Sequence, residues 1–275
     1  MVRVLVTGAR GKTGRPLAES LAARREVEVA GGGSHPATVD IDGVRPVAFS
    51  WDDPAGWAAA LDGIDAVYVV RPDRADAPEL VAALLDLAAP TARVVLLSEQ
   101  DADFAGPDGW APRVERAVRE SGRPWTIVRP SWFMQVFSDE RFYRHLLVDG
   151  GDLPFPSGGA RVAWIDARDI AAVAEQALLD ESHAGRVHEI SGPEALSLPH
   201  TAELLAAAAG HRVTHRELSI DEAVAGSDGF QRELEVLTFE RVRAGSFATV
   251  TDTVQRVTGQ PARSLQAFLD ELGRD

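Results

Sequence analysis

The stretch VRVLVTGARGKTG, residues 2–14, carries the strongest fold signal in this chain. Its apolar residues predict a buried strand, glycines follow at positions 8, 11 and 14, and a helical pattern comes next. In such a strand–loop–helix unit Gly8 permits a tight turn, Gly11 lets the backbone approach a pyrophosphate, and Gly14 lets the helix pack closely on the strand. The stretch therefore predicts a dinucleotide-binding loop at a helix N-terminus.

A second interpretation arises from the triplet Gly11-Lys12-Thr13, which also occurs in nucleoside-triphosphate loops. Such a loop requires a glycine, four further residues and then Gly-Lys. The first of those positions is Val6, which belongs to the apolar run of the strand. The dinucleotide interpretation is therefore favoured, and a strand–turn–helix without a ligand stays open as the structural alternative.

Composition excludes several classes of protein. The 275 residues carry a formal charge of −14, which disfavours binding to nucleic acid or to an anionic membrane surface. The chain has no cysteine, so disulfides, thiolate catalysis and cysteine metal sites are excluded. No apolar run approaches the roughly 20 residues of a membrane span, and the N-terminal strand has no cleavable signal pattern. We therefore expect a soluble, cytoplasmic protein.

Short apolar runs alternate with helical patterns, which predicts an α/β fold with a doubly wound parallel sheet. Strands are expected at 2–6, 26–30, 46–49, 65–70, 93–97 and 125–129, and helices at 14–24, 54–61, 76–88 and 111–121. After residue 130 the alternation loosens into a smaller, mostly helical lobe. This part is expected to contain a helix at 139–148, a Gly/Pro-rich loop at 149–159, a short strand at 161–165, a helix at 168–179 and a strand at 186–190. The expected domains are a dinucleotide-binding core over 1–130 and a substrate lobe over 131–275, intertwined because the 186–190 strand returns to the sheet.

The end of the second strand bears on the choice of nicotinamide cofactor. NAD sites place an acidic residue there to bind the ribose 2′-hydroxyl. Glu28 lies inside the strand instead, and the turn expected at 31–35 holds no carboxylate. The polar side chains available are Ser34 and His35 of that turn and Arg10 and Lys12 of the glycine loop. Cations and N–H groups suit a 2′-phosphate, which favours NADP (NADPH) over NAD unless the two cations are ordinary surface charges.

Five segments resemble the NmrA-like proteins, which are atypical members of the short-chain dehydrogenase superfamily. The segments are VTGARGKTG (6–14), DAVYVVRP (65–72), ESGRPWTIVRPSWFMQVFSD (120–139), WIDARDIA (164–171) and VTDTVQRVTGQP (250–261). The GKTG loop and SWDDPAGWAAAL (50–61) are most similar to bacterial relatives of the fungal ergot-alkaloid iminium reductases. The resemblance implies a Rossmann fold, NADP(H) binding, and either reduction of a small conjugated or imine-like substrate or NADP sensing without turnover.

One departure from the superfamily limits the chemistry. Most short-chain dehydrogenases use a Tyr-x-x-x-Lys pair, in which the lysine lowers the tyrosine pKa so that the phenol can protonate a carbonyl oxygen. The tyrosines here are Tyr68 and Tyr143 and the single lysine is Lys12, so the pair is absent. We therefore expect an NADPH-dependent oxidoreductase that transfers hydride to a small apolar electrophile: an imine or iminium ion, a quinone or an enone. The alternative is a noncatalytic NADP-binding regulator that senses redox state.

The carboxyl ends of the predicted strands hold the candidate site residues, because ligands of open α/β sheets bind there. The candidate cofactor-binding residues are Gly8, Arg10, Gly11, Lys12, Thr13, Gly14, Ser34, His35, Asp52, Arg71, Pro72, Ser98, Pro130 and Phe133, and the candidate catalytic residues are Glu99 and Tyr143. Within this set the resemblance implies a contact of Asp52 with the adenine amine. The segments at 71–72 and 130–133 are expected at the nicotinamide ribose and ring.

Each of these assignments has a structural alternative. Asp52 could cap a helix together with its neighbour, and Arg71 could form a salt bridge at the rim. The 130–133 segment could be core packing. Glu99 could be a solvated loop residue, and Tyr143 a residue of an amphipathic helix.

Two further patterns have structural interpretations. Asp166 is expected to cap a helix that begins near residue 167, and Asp169 to add negative charge at its N-terminus. His211 and His215 lie in a segment of alternating apolar and polar residues, which predicts a strand. In a strand they would be about 13 Å apart, too far to bind the same metal ion. No metal site is predicted. The expected partner is a small-molecule substrate, with the protein a monomer or homodimer.

Overall fold

A computed structural model describes residues 1–272 of the chain and divides it into two compact units. The first unit contains Met1–Arg129 together with Ile170–His188. The second contains Pro130–Asp169 and the chain from Glu189 onward. The chain thus leaves the first unit once, returns to it for a helix and part of a strand, and leaves it again.

The described residues form eleven strands and eleven α-helices. The strands are β1 (Val2–Val6), β2 (Val27–Gly33), β3 (Val44–Ala48), β4 (Ala66–Val70), β5 (Arg93–Leu97), β6 (Trp125–Pro130), β7 (Gly151–Phe155), β8 (Arg161–Val162), β9 (Arg186–Ile190), β10 (Leu196–Ser197) and β11 (Val213–Glu217). The helices are α1 (Gly14–Ala22), α2 (Trp57–Ala60), α3 (Ala77–Leu87), α4 (Trp110–Glu120), α5 (His145–Val148), α6 (Ala167–Leu179), α7 (Leu198–Ala209), α8 (Ile220–Ala223), α9 (Gly229–Arg243), α10 (Thr253–Thr258) and α11 (Leu265–Leu272).

Seven of the strands found in residues 1–272 form one sheet, in the order β3-β2-β1-β4-β5-β6-β9. Every neighbouring pair from β3 through to β6 is parallel. The chain starts in the middle of the sheet, runs outward to β3 and then crosses back to β4, so the strand order reverses between β1 and β4. Ligands of such sheets bind at the carboxyl ends beside that reversal, which is where the glycine loop follows β1. The predicted doubly wound parallel sheet is confirmed.

The middle strands are buried on both faces, which is why their sequences are continuous apolar runs and do not alternate. Residues 4–6 of β1, 66–69 of β4 and 94–96 of β5 are all fully buried. Leu84 of α3 and Val114 of α4 pack in the same core. Each such side chain contributes roughly 1.5–3 kcal/mol on burial, so the core holds the strand ends in fixed positions beneath the site.

Strand β2 continues further than its apolar pattern indicates. The prediction of a turn over the whole of 31–35 is wrong, because Gly31 and Gly33 pair with β3. Packing requires these glycines, because a Cβ on Gly31 would lie 2.7 Å from Cγ1 of Val44. The turn itself begins only after residue 33.

The second unit contains two small ribbons. In one, β7 pairs with β11 in parallel, and in the other β8 pairs with β10 in antiparallel fashion. The prediction of a loop over 149–159 is wrong, because residues 151–155 form β7. Its hydrogen-bond partner is β11, which is distant in sequence, and the Gly/Pro-rich segment alone gives no signal for a strand. The predicted strand containing His215 is confirmed as β11.

The helix predicted at 139–148 is also shorter than expected, since only α5 at its end is helical. Before α5 the backbone forms turns: the N–H of Arg141 donates to the Asp139 carboxylate at 3.0 Å, and the N–H of Tyr143 donates to the carbonyl of Val136 at 2.9 Å. Across residues 1–272, no helix combines the length and apolar character needed to cross a membrane.

Candidate functional site

The loop between β1 and α1 has the geometry that its three glycines predict. Gly8 has a φ of +66°, a left-handed conformation that glycine adopts without strain. The N–H of Gly11 donates to the carbonyl of Gly8 at 2.8 Å, closing the turn. A Cβ on Gly14 would lie 2.2 Å from the same carbonyl oxygen, so no other residue fits at the start of α1. The backbone is thereby left bare where a pyrophosphate approaches the helix N-terminus, and the residues present fit a dinucleotide.

Buried hydrogen bonds attach this loop to β4. The hydroxyl of Thr7 donates to the carbonyl of Tyr68 at 2.9 Å and accepts from the N–H of Val70 at 2.8 Å. The Tyr68 hydroxyl donates to Oγ1 of Thr13 at 3.1 Å. Burial raises the pKa of Tyr68 well above its ordinary value. Tyr68 therefore positions the loop, and Thr13 has a structural partner in addition to its predicted cofactor contact.

The end of β2 lies beside the glycine loop. The N–H of Ala9, the residue before Arg10, donates at 3.2 Å to the carbonyl of Gly32, two residues before Ser34. Arg10 is exposed and makes no hydrogen bond or ion pair with any residue from 1 to 272. Ser34 and His35 are exposed and bond to each other, Oγ to Nδ1, at 3.2 Å.

The other charged side chains near the glycine loop and the end of β2 are half-buried or form salt bridges. Lys12 is half-buried in the loop. Glu28 points out of the strand and pairs with Arg3 at 3.7 Å, so it does not stand at the strand end where an NAD ribose would need it. Asp52 is exposed and bonds to Arg74, which also holds Asp76. Asp52 is therefore a salt-bridged surface carboxylate, and its adenine contact stays a prediction.

The carboxyl ends of β4 and β5 are joined by an ion pair. Nη2 of Arg71 donates to Oε2 of Glu99 at 2.7 Å, and the guanidinium lies 4.4 Å from the centre of the Trp110 ring. The side chains of Arg71 and Glu99 are 11% and 28% exposed, so the carboxylate is accessible at one side. Pro72, half-buried beside them, accepts the N–H of Arg74 at 3.0 Å. Glu99 is thus an oriented carboxylate and not a freely solvated loop residue.

Ser98 belongs to a buried polar cluster that the sequence did not reveal. Its hydroxyl donates to Oε1 of Glu115 in α4 at 2.6 Å, and Arg129 of β6 donates to both carboxylate oxygens at 2.8 and 2.7 Å. Arg119 adds a third charge-assisted bond at 2.7 Å. Glu115 is fully buried, and the only sequence signal for it is an acidic residue on the apolar face of an amphipathic helix.

Three candidate residues lie in the second unit. Pro130 is buried, and half-buried Phe133 forms a bridge with Ile165. The Tyr143 hydroxyl donates to the carbonyl of Pro154 in β7 at 3.1 Å, and burial raises the pKa of Tyr143 to about 12. This contact favours a structural role. Glu99 and Tyr143 belong to different units, and the role of Tyr143 as a proton donor stays a prediction.

The acidic pair before and within α6 is structural. The N–H of Arg168 donates to Oδ1 of Asp166 at 2.8 Å, which confirms the predicted cap. Burial alone would raise the pKa of Asp166, but the hydrogen bonds and charge of Arg168 outweigh it and hold the pKa below its ordinary value. Asp169 is buried against Arg263, whose N–H donates to it at 2.7 Å, so it is an ion-pair partner and not an exposed helix-end charge. The described part of the chain has no group of three or more metal-ligating side chains.

A doubly wound sheet with a glycine loop at the reversal of strand order is typical of dinucleotide-binding proteins with a Rossmann fold. The match of a family model confirms that class. The chain belongs to the NAD(P)H-binding family, whose model matches residues 8–181.

Curated relatives cover most of the chain. It is 36% identical over 241 residues to an NAD(P)H azoreductase of Xenophilus azovorans, with 82% of each chain covered. It is 35% identical to a (4-alkanoyl-5-oxo-2,5-dihydrofuran-3-yl)methyl phosphate reductase of Streptomyces griseus, over 98% of this chain and 97% of that protein. Agroclavine dehydrogenase of Claviceps fusiformis is 26% identical over 98% of this chain and 96% of its own.

Solved structures share the fold. The NADPH complex of a quinone oxidoreductase from Escherichia coli superimposes with a TM-score of 0.81 at 20% identity, covering 98% of this chain and 99% of that one. The negative transcriptional regulator NmrA in complex with NADP gives a TM-score of 0.75 at 18% identity, over 99% and 95% of the two chains. At these identities the likeness establishes the fold only.

Proposed function

We propose that this protein transfers a hydride from NADPH to a small, apolar acceptor with a polarised double bond: an imine or iminium ion, a quinone or an enone. The observation that carries the proposal is the glycine loop, in which Gly14 leaves no room for a Cβ and exposes backbone to a pyrophosphate. The names of two relatives support reduction of an unsaturated acceptor, since an azo group is a reducible N=N double bond and a 4-alkanoyl-5-oxo-2,5-dihydrofuran has a C=C bond conjugated with carbonyl groups.

The chemistry fits an acceptor that needs little protonation. Bound NADPH would supply the hydride. The chain has no Tyr-x-x-x-Lys pair, and both tyrosine hydroxyls, of Tyr68 and Tyr143, donate to protein oxygens. Of the two predicted catalytic residues, Glu99 and Tyr143, only Glu99 remains a candidate for proton transfer, and Arg71 orients its carboxylate. We propose that Arg71 and Pro72 contact the nicotinamide ribose and that Glu99 binds the substrate or passes it a proton from water.

We further propose that NADPH is preferred to NADH. Arg10 is an exposed cation without a partner in residues 1–272, and the loop that carries it is bonded to the end of β2. Charge-assisted bonds to a phosphate are roughly twice as strong as neutral ones. Replacing Arg10 and Lys12 together by alanine should therefore weaken NADPH binding by about 10-fold or more and NADH binding by less than about 3-fold.

Arg25 provides a matched control for this test, because it is an exposed arginine that precedes the amino end of β2, at the opposite edge of the sheet. Arg25→Ala should leave both dissociation constants unchanged. Equal losses of NADPH and NADH in the double variant would remove the argument for a 2′-phosphate site.

The function itself is tested by following NADPH absorbance with purified protein and a panel of cyclic iminium ions, quinones and enones. Oxidation that depends on the acceptor and saturates with it is the expected result. Tight NADP binding with no turnover of any acceptor would contradict the proposal and favour the noncatalytic redox-sensing regulator. The small-molecule substrate and a monomeric or homodimeric state also remain proposals, the latter tested by light scattering.

A further inference from the structure

Trp51 lies at the carboxyl edge of the sheet, three residues beyond the end of β3. Its indole N–H donates to the carbonyl of Val70, the last residue of β4, at 3.1 Å. Strands β3 and β4 are three places apart in the sheet, so the segment from residue 49 to the Trp51 ring spans the distance between their ends. The ring is therefore held in place both by its own backbone and by its polar atom.

Val70 also borders the glycine loop. A Cβ on Gly8 would lie 3.6 Å from the Cβ of Val70, and the N–H of Val70 donates to the hydroxyl of Thr7 at 2.8 Å. A single residue thus separates the Trp51 ring from the turn that fits a pyrophosphate. In Rossmann folds the ribose of the adenosine half lies at the end of the second strand, so the adenine base lies on that side of the loop. Trp51 follows β3, which is the neighbour of that strand.

The Trp51 ring carries no cation, unlike comparable rings in the first unit. Three tryptophans of that unit are half-buried: Trp51, Trp110 and Trp125. Guanidinium groups lie over the other two, Arg71 at 4.4 Å from the centre of the Trp110 ring and Arg119 at 5.5 Å from that of Trp125. No guanidinium within residues 1–272 lies over Trp51.

The aromatic contacts of Trp51 are perpendicular ones. Phe49 and Trp57 lie 5.2 and 5.6 Å away, between ring centres, with planes inclined at 84° and 77° to that of Trp51. Both neighbours are buried, whereas Trp51 is half-buried. In the part of the chain that the structure describes, no aromatic ring stacks in parallel on Trp51. A fixed, partly exposed ring without a stacked partner is suited to a planar base.

We propose that Trp51 stacks on the adenine base of the bound dinucleotide and is a main determinant of its affinity. The inference rests on the coenzyme binding that the proposed function requires, and it does not depend on the acceptor. NADPH and NADH share the adenine, so Trp51 contributes equally to both, whereas Arg10 and Lys12 are proposed to distinguish them. All the residues that carry the inference belong to the first unit.

Trp51→Leu tests the contribution to affinity, because it replaces the planar ring with an aliphatic side chain. Stacking of a base on an aromatic side chain changes a dissociation constant by about 5- to 100-fold. In calorimetric titrations, the variant should bind NADPH, NADH and adenosine 2′,5′-bisphosphate more weakly by one common factor within that range. At saturating NADPH its kcat should equal that of wild type while the KM for NADPH rises, since the ring contacts only the adenine.

Trp51→Phe separates stacking from packing, because it keeps an aromatic ring and removes the N–H that binds Val70. This variant should bind NADPH within about 3-fold of wild type. A fluorescent ethenoadenine analogue of adenosine 2′,5′-bisphosphate gives a direct readout, since contact with an indole ring quenches its emission. Saturating wild-type protein should quench the analogue strongly, and saturating Trp51→Phe should quench it much less.

Trp125→Leu is the matched control. Trp125 is half-buried like Trp51, but it opens β6, at the opposite edge of the sheet from the glycine loop. This variant should bind both coenzymes and quench the analogue as wild type does. A thermal unfolding scan of each variant checks that it is folded at the temperature of the titrations.

The possible results separate this inference from the proposed function. If wild-type protein binds NADPH and Trp51→Leu binds it within 2-fold, the inference fails and the proposed function stands. Unchanged emission of the analogue on binding to wild-type protein refutes stacking, and an equal loss of affinity in Trp51→Phe and Trp51→Leu assigns the effect to packing. If wild-type protein turns over no acceptor but Trp51→Leu loses affinity as stated, the inference holds and the proposed function fails. If neither coenzyme binds, both fail.

Discussion

Adding one methyl group at Gly14 should damage both the fold and the cofactor site. The Cβ of an alanine there would lie 2.2 Å from the carbonyl oxygen of Gly8, 2.9 Å from its carbonyl carbon and 3.1 Å from Cα of Ala9. All three are backbone atoms, so no side-chain rotation relieves the contact. Since non-bonded heavy atoms prefer about 3.5 Å, the start of α1 must move by at least about 1 Å relative to the loop.

The cost of Gly14→Ala follows from that displacement. Overpacking of a fixed site costs about 1–3 kcal/mol, and the better helix propensity of alanine returns up to about 1 kcal/mol. A net loss of about 1–2 kcal/mol corresponds to a fall in Tm of roughly 2–8 °C for a chain of this size. A 1 Å shift also breaks a phosphate hydrogen bond of about 2.9 Å, worth about 1.5–3 kcal/mol, so NADPH should bind about 10- to 100-fold more weakly.

Calorimetric titration with NADPH and a thermal unfolding scan measure the two effects. Gly226→Ala is the control, because a Cβ there meets no atom within 4 Å, and it should bind NADPH normally with a Tm equal to or above that of wild type. If Gly14→Ala binds NADPH within 2-fold of wild type at an unchanged Tm, the loop does not hold the pyrophosphate in the way its glycines imply.

Three further perturbations probe the rest of the molecule. Glu115→Gln removes the buried carboxylate that accepts from Ser98, Arg119 and Arg129, while Arg129 keeps its second partner Asp103 at 2.9 Å, so it should lower the free energy of unfolding by about 1.5–3 kcal/mol in urea; a loss below about 0.5 kcal/mol would mean that these bonds contribute little to stability. Tyr143→Phe removes one bond to a backbone carbonyl and should cost about 1 kcal/mol with kcat unchanged, whereas a large fall in kcat at native stability would restore the tyrosine as a proton donor. The folded pKa of Asp166 lies below its ordinary value of 3.8, so its stabilisation is present above that pH and is lost as pH falls through the depressed value. Arg168→Met should therefore destabilise the protein at neutral pH and progressively less in acid, and a deficit independent of pH in urea midpoints would show that the ion pair is not responsible.

Local sequence predicted the sheet well because each central strand carries its own signal. Residues 4–6 and 94–96 are apolar without interruption, and short apolar runs that alternate with helical patterns favour strands of a sheet covered on both faces. The glycine loop also carries its own signal. The positive φ of Gly8 and the close approach of Gly14 to the Gly8 carbonyl both arise within residues 8–14. The sequence also excludes a Tyr-x-x-x-Lys pair, because the single lysine, Lys12, does not lie four residues after Tyr68 or Tyr143.

The predictions that failed depended on partners far away in the chain. Strand β7 forms because β11 pairs with it some sixty residues later, and its own Gly/Pro content is typical of a loop. Gly31 belongs to a strand because it pairs with Pro46 of β3, and it is a glycine because Val44 leaves no room for a Cβ.

The amino-acid sequence alone therefore determined the fold class, the position and geometry of the glycine loop, and the absence of a Tyr-x-x-x-Lys pair, because these follow from hydrophobic periodicity, glycine spacing and residue counts. Only the tertiary structure decided the state of the polar groups. It paired Glu115 with Ser98 and Arg129, bound the Tyr143 hydroxyl to a backbone carbonyl, and bound the N–H of Trp51 to the carbonyl of Val70. The physical reason is that a hydrogen bond requires a donor and an acceptor within about 3 Å of each other. Between residues distant in sequence, packing sets that distance, and the number of residues between them does not predict it.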